Sequence, residues 1–225
     1  MKTNDGSFIA CRMLAFCCIF GVFGTPTGLA QPGPSSLPSA SGAASSLSEG
    51  FENGLVVSAH PVASAIGLEI LQAGGNAVDA AVAVQFALAV VYPNAGNLGG
   101  GGFMVIRQAE GTVASLDFRE MAPGKAHRDL YLDENKEVIP GLSLSGHLAA
   151  GVPGTVAGMG AAHEKYGKLS WEELISPSVR LARNGFALTA SQVRQLNAYQ
   201  DAFLKHNPGS GYFIREHWAA GDTLK

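Results

Sequence analysis

Residues 77–91 constrain this chain most. From Ala77 to Val91 only Asp79 and Gln85 are polar, and neither makes a polar face. A helix that is apolar nearly all round must be covered on several sides. Fifteen residues at about 1.5 Å each fall short of a bilayer's hydrocarbon core, and Asp79 sits at the start, so a membrane span is excluded. The expectation is a central helix buried against a sheet. Asn76 is placed to cap it, Asp79 lies near the positive end of its dipole, and Pro93 stops it. A helix before it starts at Pro61 and presents Val62, Ile66 and Ile70 at helical spacing, with Ala63, Gly67 and Leu71 beside them. Gly74 and Gly75 close that helix. Leu55–Ser58 reads as a short apolar strand ahead of it.

The second constraint is a run of four glycines, Gly99 to Gly102, followed by the alternating segment Phe103, Met104, Val105, Ile106. Backbone without Cβ atoms can approach another chain segment closely. Residues 103–106 and 113–118 alternate as strands, and Glu110-Gly111 supplies a turn, so a β-hairpin is expected. Arg119 stands where the second strand ends, flanked by Asp117 and Glu120. Its planar fork can grip a carboxylate ligand. It can equally pair with Asp117 or Glu120 as structural glue, and the residues alone leave both readings open.

Residues 124–146 carry Asp129, Asp133, Glu134 and Glu137 at irregular spacing, which favours a solvated loop over a metal site. His60, His127 and His147 have no second ligand nearby in sequence and read as polar loop residues. Pro153 opens a helix over 156–166 that Gly167 ends, with Gly154, Gly158 and Gly160 forming a small-residue face. No Gly-Lys-Ser/Thr follows, so this is not a phosphate loop. Ser170 and Glu173 match a capping box. Pro177 is expected to break the following helix into a short turn and a second helix over 178–183. Residues 191–205 form an amphipathic helix, and 206–224 read as loop. One hairpin among this many helices leaves too few strands for a complete sheet, so the 225 residues are expected to be part of a longer protein.

Fifteen basic and eighteen acidic residues give a net charge of −3, with no basic face of the kind nucleic acid requires. The 47% apolar share supports a core, and no internal repeat or heptad is present. Residues 1–30 read as a secretory signal peptide: Lys2 and Arg12 precede an eleven-residue apolar run, and Gly28-Leu29-Ala30 offers a cleavage site. An uncleaved anchor is the competing reading, but the run is short for a span. Lipid attachment at Cys17 or Cys18 is disfavoured by bulky Phe16. Cleavage after Ala30 removes Cys11, Cys17 and Cys18, all the cysteines, so the mature chain has neither disulfide nor thiol chemistry. Residues 31–54, rich in Ser, Pro, Ala and Gly, form a flexible leader.

Four motifs together resemble the N-terminal, large-subunit portion of the γ-glutamyltranspeptidases, or glutathione hydrolases. They are Ala73-Gly74-Gly75-Asn76-Ala77-Val78-Asp79-Ala80-Ala81, Gly96-Asn97-Leu98-Gly99-Gly100-Gly101-Gly102-Phe103, Asp117-Phe118-Arg119-Glu120-Met121-Ala122-Pro123 and Gly151-Val152-Pro153-Gly154-Thr155-Val156-Ala157-Gly158. Lys165-Tyr166-Gly167 and Leu181-Ala182-Arg183-Asn184-Gly185-Phe186 extend the likeness, which runs over 55–225. The resemblance implies an α+β chain holding the N-terminal part of an N-terminal nucleophile hydrolase α-β-β-α sandwich. It implies a secreted or periplasmic proenzyme that cuts itself into a large and a small subunit, which stay together as a heterodimer. The threonine exposed by that cut attacks a γ-glutamyl amide such as that of glutathione, and water or an amino acid takes the acyl group. No cofactor is implied. The arginine of the Phe-Arg-Glu motif, here Arg119, binds the α-carboxylate of the γ-glutamyl group. Thr112, Thr155, Thr189 and Thr223 lie outside the nucleophile motif, and the oxyanion donors belong to the missing half. The chain is therefore expected to hold no catalytic residue and to be inactive alone.

Two other readings compete. One is a related amidohydrolase acting on a β-lactam side chain or a poly-γ-glutamate capsule. The other is a secreted binding module that holds γ-glutamyl compounds without cleaving them.

Overall fold

The computed structural model describes residues 53–207 and 211–225. The expected signal peptide and nearly all of the leader lie outside the described residues. Helices and strands both occur, as an α+β chain requires.

Helix α1 spans Pro61–Gln72 and α2 spans Ala77–Val91. Ala63, Ile66 and Ile70 form the buried stripe of α1, and Gly67 lets it lie close to α2: a Cβ there would fall 2.6 Å from Val84. The two-residue break at Gly74-Gly75 uses a φ of +93° at Gly74, a left-handed conformation that favours glycine. Asn76 then caps α2 reciprocally. Its Oδ1 accepts the amides of Val78 and Asp79 at 2.8 and 3.0 Å, while Asp79 Oδ2 accepts the Asn76 amide at 2.9 Å.

Val82, Ala83, Ala87 and Val91 of α2 are fully enclosed. The sequence suggests a sheet as the cover; among the described residues the closest packing comes from helices instead. These are α1, α3 (Thr155–Tyr166) and α4 (Trp171–Asn184). The strands among the described residues are too short and too few to cover its length.

Strand β1 (Phe103–Arg107) pairs antiparallel with β2 (Val113–Asp117), Phe103 opposite Asp117 and Arg107 opposite Val113. The turn uses Gly111 at φ +94°. Met104, Ile106 and Leu116 pack toward the core. The opposite face carries Phe103, Val105 and Val113, which are 65%, 76% and 63% exposed. Leu55–Ser58 belongs to no strand among the described residues, contrary to the sequence expectation; Val56 packs on the Gly67 site, while Leu55 and Val57 are exposed.

Pro177 does not break α4, contrary to the sequence expectation. A proline inside a helix costs one hydrogen bond and a clash, about 3 kcal/mol. Here that is offset by burial of the Pro177 ring next to fully enclosed Leu174 and by the Ser170–Glu173 capping box upstream. The expected helix over 191–205 is two helices, α5 (Ala190–Ala198) and α6 (Gln200–His206), bent at Tyr199. Gln200 Nε2 donates to the Leu196 carbonyl at 2.9 Å and to the Phe213 carbonyl at 2.8 Å, so one side chain satisfies the hinge and ties down the following loop. That loop is not wholly irregular: β4 (Thr223–Leu224) pairs antiparallel with β3 (Phe186–Ala187), and Trp218 is buried with its indole N–H on the Phe213 carbonyl.

Candidate functional site

The glycine run and the Arg119 corner are built as one unit. Phe118 and Gly102 exchange backbone hydrogen bonds, at 3.0 Å for the Phe118 amide and 3.4 Å for the Gly102 amide, which extends the hairpin by one pair. The Gly100 carbonyl accepts the amides of both Gly154 and Thr155 at 2.9 Å. Met121 and Val152 pair through two backbone bonds of 2.8 and 3.1 Å. The segment leading into α3 therefore lies across the end of β2 and the entrance of β1. Backbone-to-backbone contact needs glycine at two places. A Cβ on Gly101 would fall 2.6 Å from the Phe118 carbonyl oxygen and 2.8 Å from Arg119 Cα; a Cβ on Gly154 would collide with that same carbonyl from another segment. Gly158, one turn into α3, faces the Phe118 ring. Gly160 meets nothing within 4 Å, so the expected small-residue face reduces to Gly154 and Gly158.

Arg119 stands just beyond β2 with its side chain 68% exposed. Asp117 binds the Arg119 backbone amide at 3.1 Å, which leaves the guanidinium for other partners. Glu120 Oε2 reaches Nε only at 4.0 Å, a distance too long for a hydrogen bond and worth little at the surface. The guanidinium carbon lies 5.9 Å from the centre of the Phe103 ring, near the outer limit of a cation–π contact. Among the described residues no side chain takes the guanidinium in a bidentate pair. The glue reading is thus weakly supported, and the fork is available to a carboxylate. The described residues provide one open wall here, not an enclosed pocket.

The other candidates are placed elsewhere. His60, expected as a polar residue at a loop edge, is the N-cap of α1 and is buried: it is 7% exposed, and its Nδ1 accepts the Val62 amide at 3.2 Å. Burial lowers its pKa. His127 and His147 are exposed, and no group of acidic or histidine side chains able to hold a metal occurs among the described residues. Thr155 is buried at the start of α3, Thr189 caps α5, and Thr223 lies in β4. Thr155, whose amide bonds the Gly100 carbonyl, is 2% exposed and out of reach of a substrate. Two apolar cavities, about 440 and 650 Å³, lie beside Pro93 at α5–α6 and at α2–α4, and neither includes Arg119. The bracing by Gly151–Gly154 escapes sequence reading. Its glycines announce a helix entrance, and nothing local says that the entrance lies across a hairpin.

A family model described as Gamma-glutamyltranspeptidase matches residues 63–225. The glutathione hydrolase proenzyme of Pseudomonas sp. (strain A14) is 53% identical over 169 residues, covering 75% of this chain and 29% of that protein. That of Escherichia coli (strain K12) is 45% identical over 174 residues, covering 77% and 30%. Among solved structures, the γ-glutamyltranspeptidase of Helicobacter pylori superposes with a TM-score of 0.75 at 49% identity, over 78% of this chain and 51% of that one. The Bacillus anthracis transpeptidase enzyme CapD gives 0.58 at 31% identity, over 77% and 54%. The chain spans about three-tenths of the length of the curated relatives it matches.

Proposed function

Because this chain belongs to the γ-glutamyltranspeptidase family, we propose that it is the N-terminal part of the large subunit of a self-cleaving γ-glutamyl hydrolase and transferase. The complete protein cleaves γ-glutamyl amides such as glutathione. A threonine encoded downstream attacks the γ-carbonyl, the amide C–N bond breaks, and the amine leaves with a proton. Water or an amino acid amine then takes the γ-glutamyl group from the threonine ester. The small subunit from the same precursor completes the site, and the two together form the α-β-β-α sandwich. The apolar outer face of β1–β2 supports that arrangement, since a face bearing Phe103, Val105 and Val113 suits a second sheet. Export follows from the sequence of residues 1–30.

One observation carries the role of this part: Arg119 is held at a strand end with no bidentate partner for its fork among the described residues. In the proposed enzyme it takes the donor α-carboxylate through two parallel N–H···O bonds. Covered by the small subunit, that pair is poorly hydrated and contributes about 2–4 kcal/mol. Arg119→Ala in the complete protein should lower kcat/KM for a chromogenic γ-glutamyl anilide about 30- to 1000-fold. A loss under about threefold takes Arg119 out of the substrate site. Identities of 53% and 45% to glutathione hydrolase proenzymes favour this reading over the other substrates the sequence leaves open.

A further inference from the structure

We infer that Gly101 and Gly154 are positioning residues for donor recognition. They grip the Phe118–Arg119 backbone from separate chain segments and so fix where the Arg119 fork stands. The inference rests on the carboxylate-binding reading of Arg119.

An arginine this exposed is not located by its own side-chain contacts, which amount to a 4.0 Å approach to Glu120 and the edge of cation–π range on Phe103. What locates it is the backbone beneath. Gly101, arriving from the glycine run, lies where a methyl would stand 2.6 Å from the Phe118 oxygen, 2.7 Å from the Glu120 nitrogen and 2.8 Å from Arg119 Cα. Gly154, arriving from the entrance of α3, lies where a methyl would overlap the Phe118 oxygen and stand 3.2 Å from the Arg119 oxygen. The two segments are joined to each other through the Gly100 carbonyl and the amides of Gly154 and Thr155, so neither can withdraw without losing hydrogen bonds. These neighbours are backbone atoms within a hydrogen-bonded corner. A methyl at Gly101 therefore requires the glycine run and the Phe118–Glu120 backbone to part by more than half an ångström, and a methyl at Gly154 requires at least as much at the Phe118 carbonyl, from which Arg119 follows directly. A bidentate pair tolerates such a shift poorly, because both N–H···O bonds depend on one orientation of the fork.

The test uses the complete protein and two donors: a γ-glutamyl anilide, and the same anilide with its α-carboxylate converted to a carboxamide. The readout is the ratio of their kcat/KM values, the carboxylate preference. Gly154→Ala and Gly101→Ala should each lower that preference about 10- to 100-fold, chiefly by raising KM for the carboxylate donor. Gly160→Ala, the same change on α3 where nothing lies within 4 Å, should leave it unchanged. Merely structural damage lowers both donors together, so a preference kept within about twofold in both clamp variants overturns the inference. If neither clamp variant folds, Gly102→Ala decides. Its methyl would stand 3.1 Å from the Phe118 ring and displaces that neighbour only slightly. It should lower the preference at least about threefold, and an unchanged value overturns the inference. Arg119→Ala runs alongside. If it keeps the preference, the carboxylate reading itself fails; if it loses the preference while the glycine variants keep it, only the clamp fails.

Discussion

At the scale of single residues, Asp79 does more than sit near a helix dipole. Besides the Asn76 amide it accepts the amides of Lys168 and Leu169, at 3.0 to 3.4 Å, and is fully buried. It therefore ties the start of α2 to the link between α3 and α4. Asp79→Ala strands three donors and should destabilise the protein by about 3 kcal/mol or more, read as a lowered urea midpoint. The capping part of this role is legible in Asn76-x-x-Asp79. The long-range part is not, because helical periodicity carries no information about a partner some ninety residues away. His60 behaves similarly: the sequence places it at the edge of a helix but not inside the core. Its lowered pKa means that the folded state disfavours the charged ring. Stability is thus complete above the ordinary histidine pKa of about 6.5 and falls as pH drops through the lower folded value. His60→Asn, which keeps an N-cap acceptor, should flatten the loss of Tm between about pH 6.5 and pH 5.

At the scale of elements, most of the helices are written in the chain, and the exceptions have local causes. Pro177 predicts a break because propensity counts the lost hydrogen bond and omits the burial of the ring. The split at Tyr199 is invisible to an amphipathic pattern, since Val193, Leu196, Phe203 and Leu204 keep apolar spacing across it. The bend depends on Gln200, whose amide reaches Leu196 and Phe213 while its oxygen accepts the Arg215 amide at 3.1 Å. Gln200→Ala should cost about 1–3 kcal/mol and raise hydrogen exchange at Arg215 and Trp218 before it affects α1 or α2. Equal loosening of all the helices would deny Gln200 this local role. The β3–β4 pair escapes a sequence reading because two residues per strand give no alternation to detect. The Arg119 corner is partly legible: the glycine run, the hairpin and the arginine at its exit can all be read. The bracing segment cannot, because it comes from another part of the chain.

At the scale of the whole molecule, the apolar outer face of the hairpin and the exposed Leu55 and Val57 stand against a chain that spans about three-tenths of its curated relatives. If the proposed sandwich covers the hairpin, Val105→Lys in the complete protein buries an unpaired charge. It should then cost more than about 2 kcal/mol, seen as a lower Tm. At an uncovered face a lysine changes stability by no more than about 0.5 kcal/mol, and that result would remove the second sheet from over Val105. The shortage of strands in the sequence agrees with that three-tenths span.

The clamp also has a genetic consequence. Every codon one nucleotide away from a glycine codon that encodes a different amino acid adds at least a Cβ, and at Gly101 and Gly154 that first carbon already has no room. These two positions admit no gradual exploration by point mutation. In a saturation screen for donor use they should be as intolerant as Arg119, while Gly160, on the same helix as Gly158 and close by in sequence, should accept alanine freely.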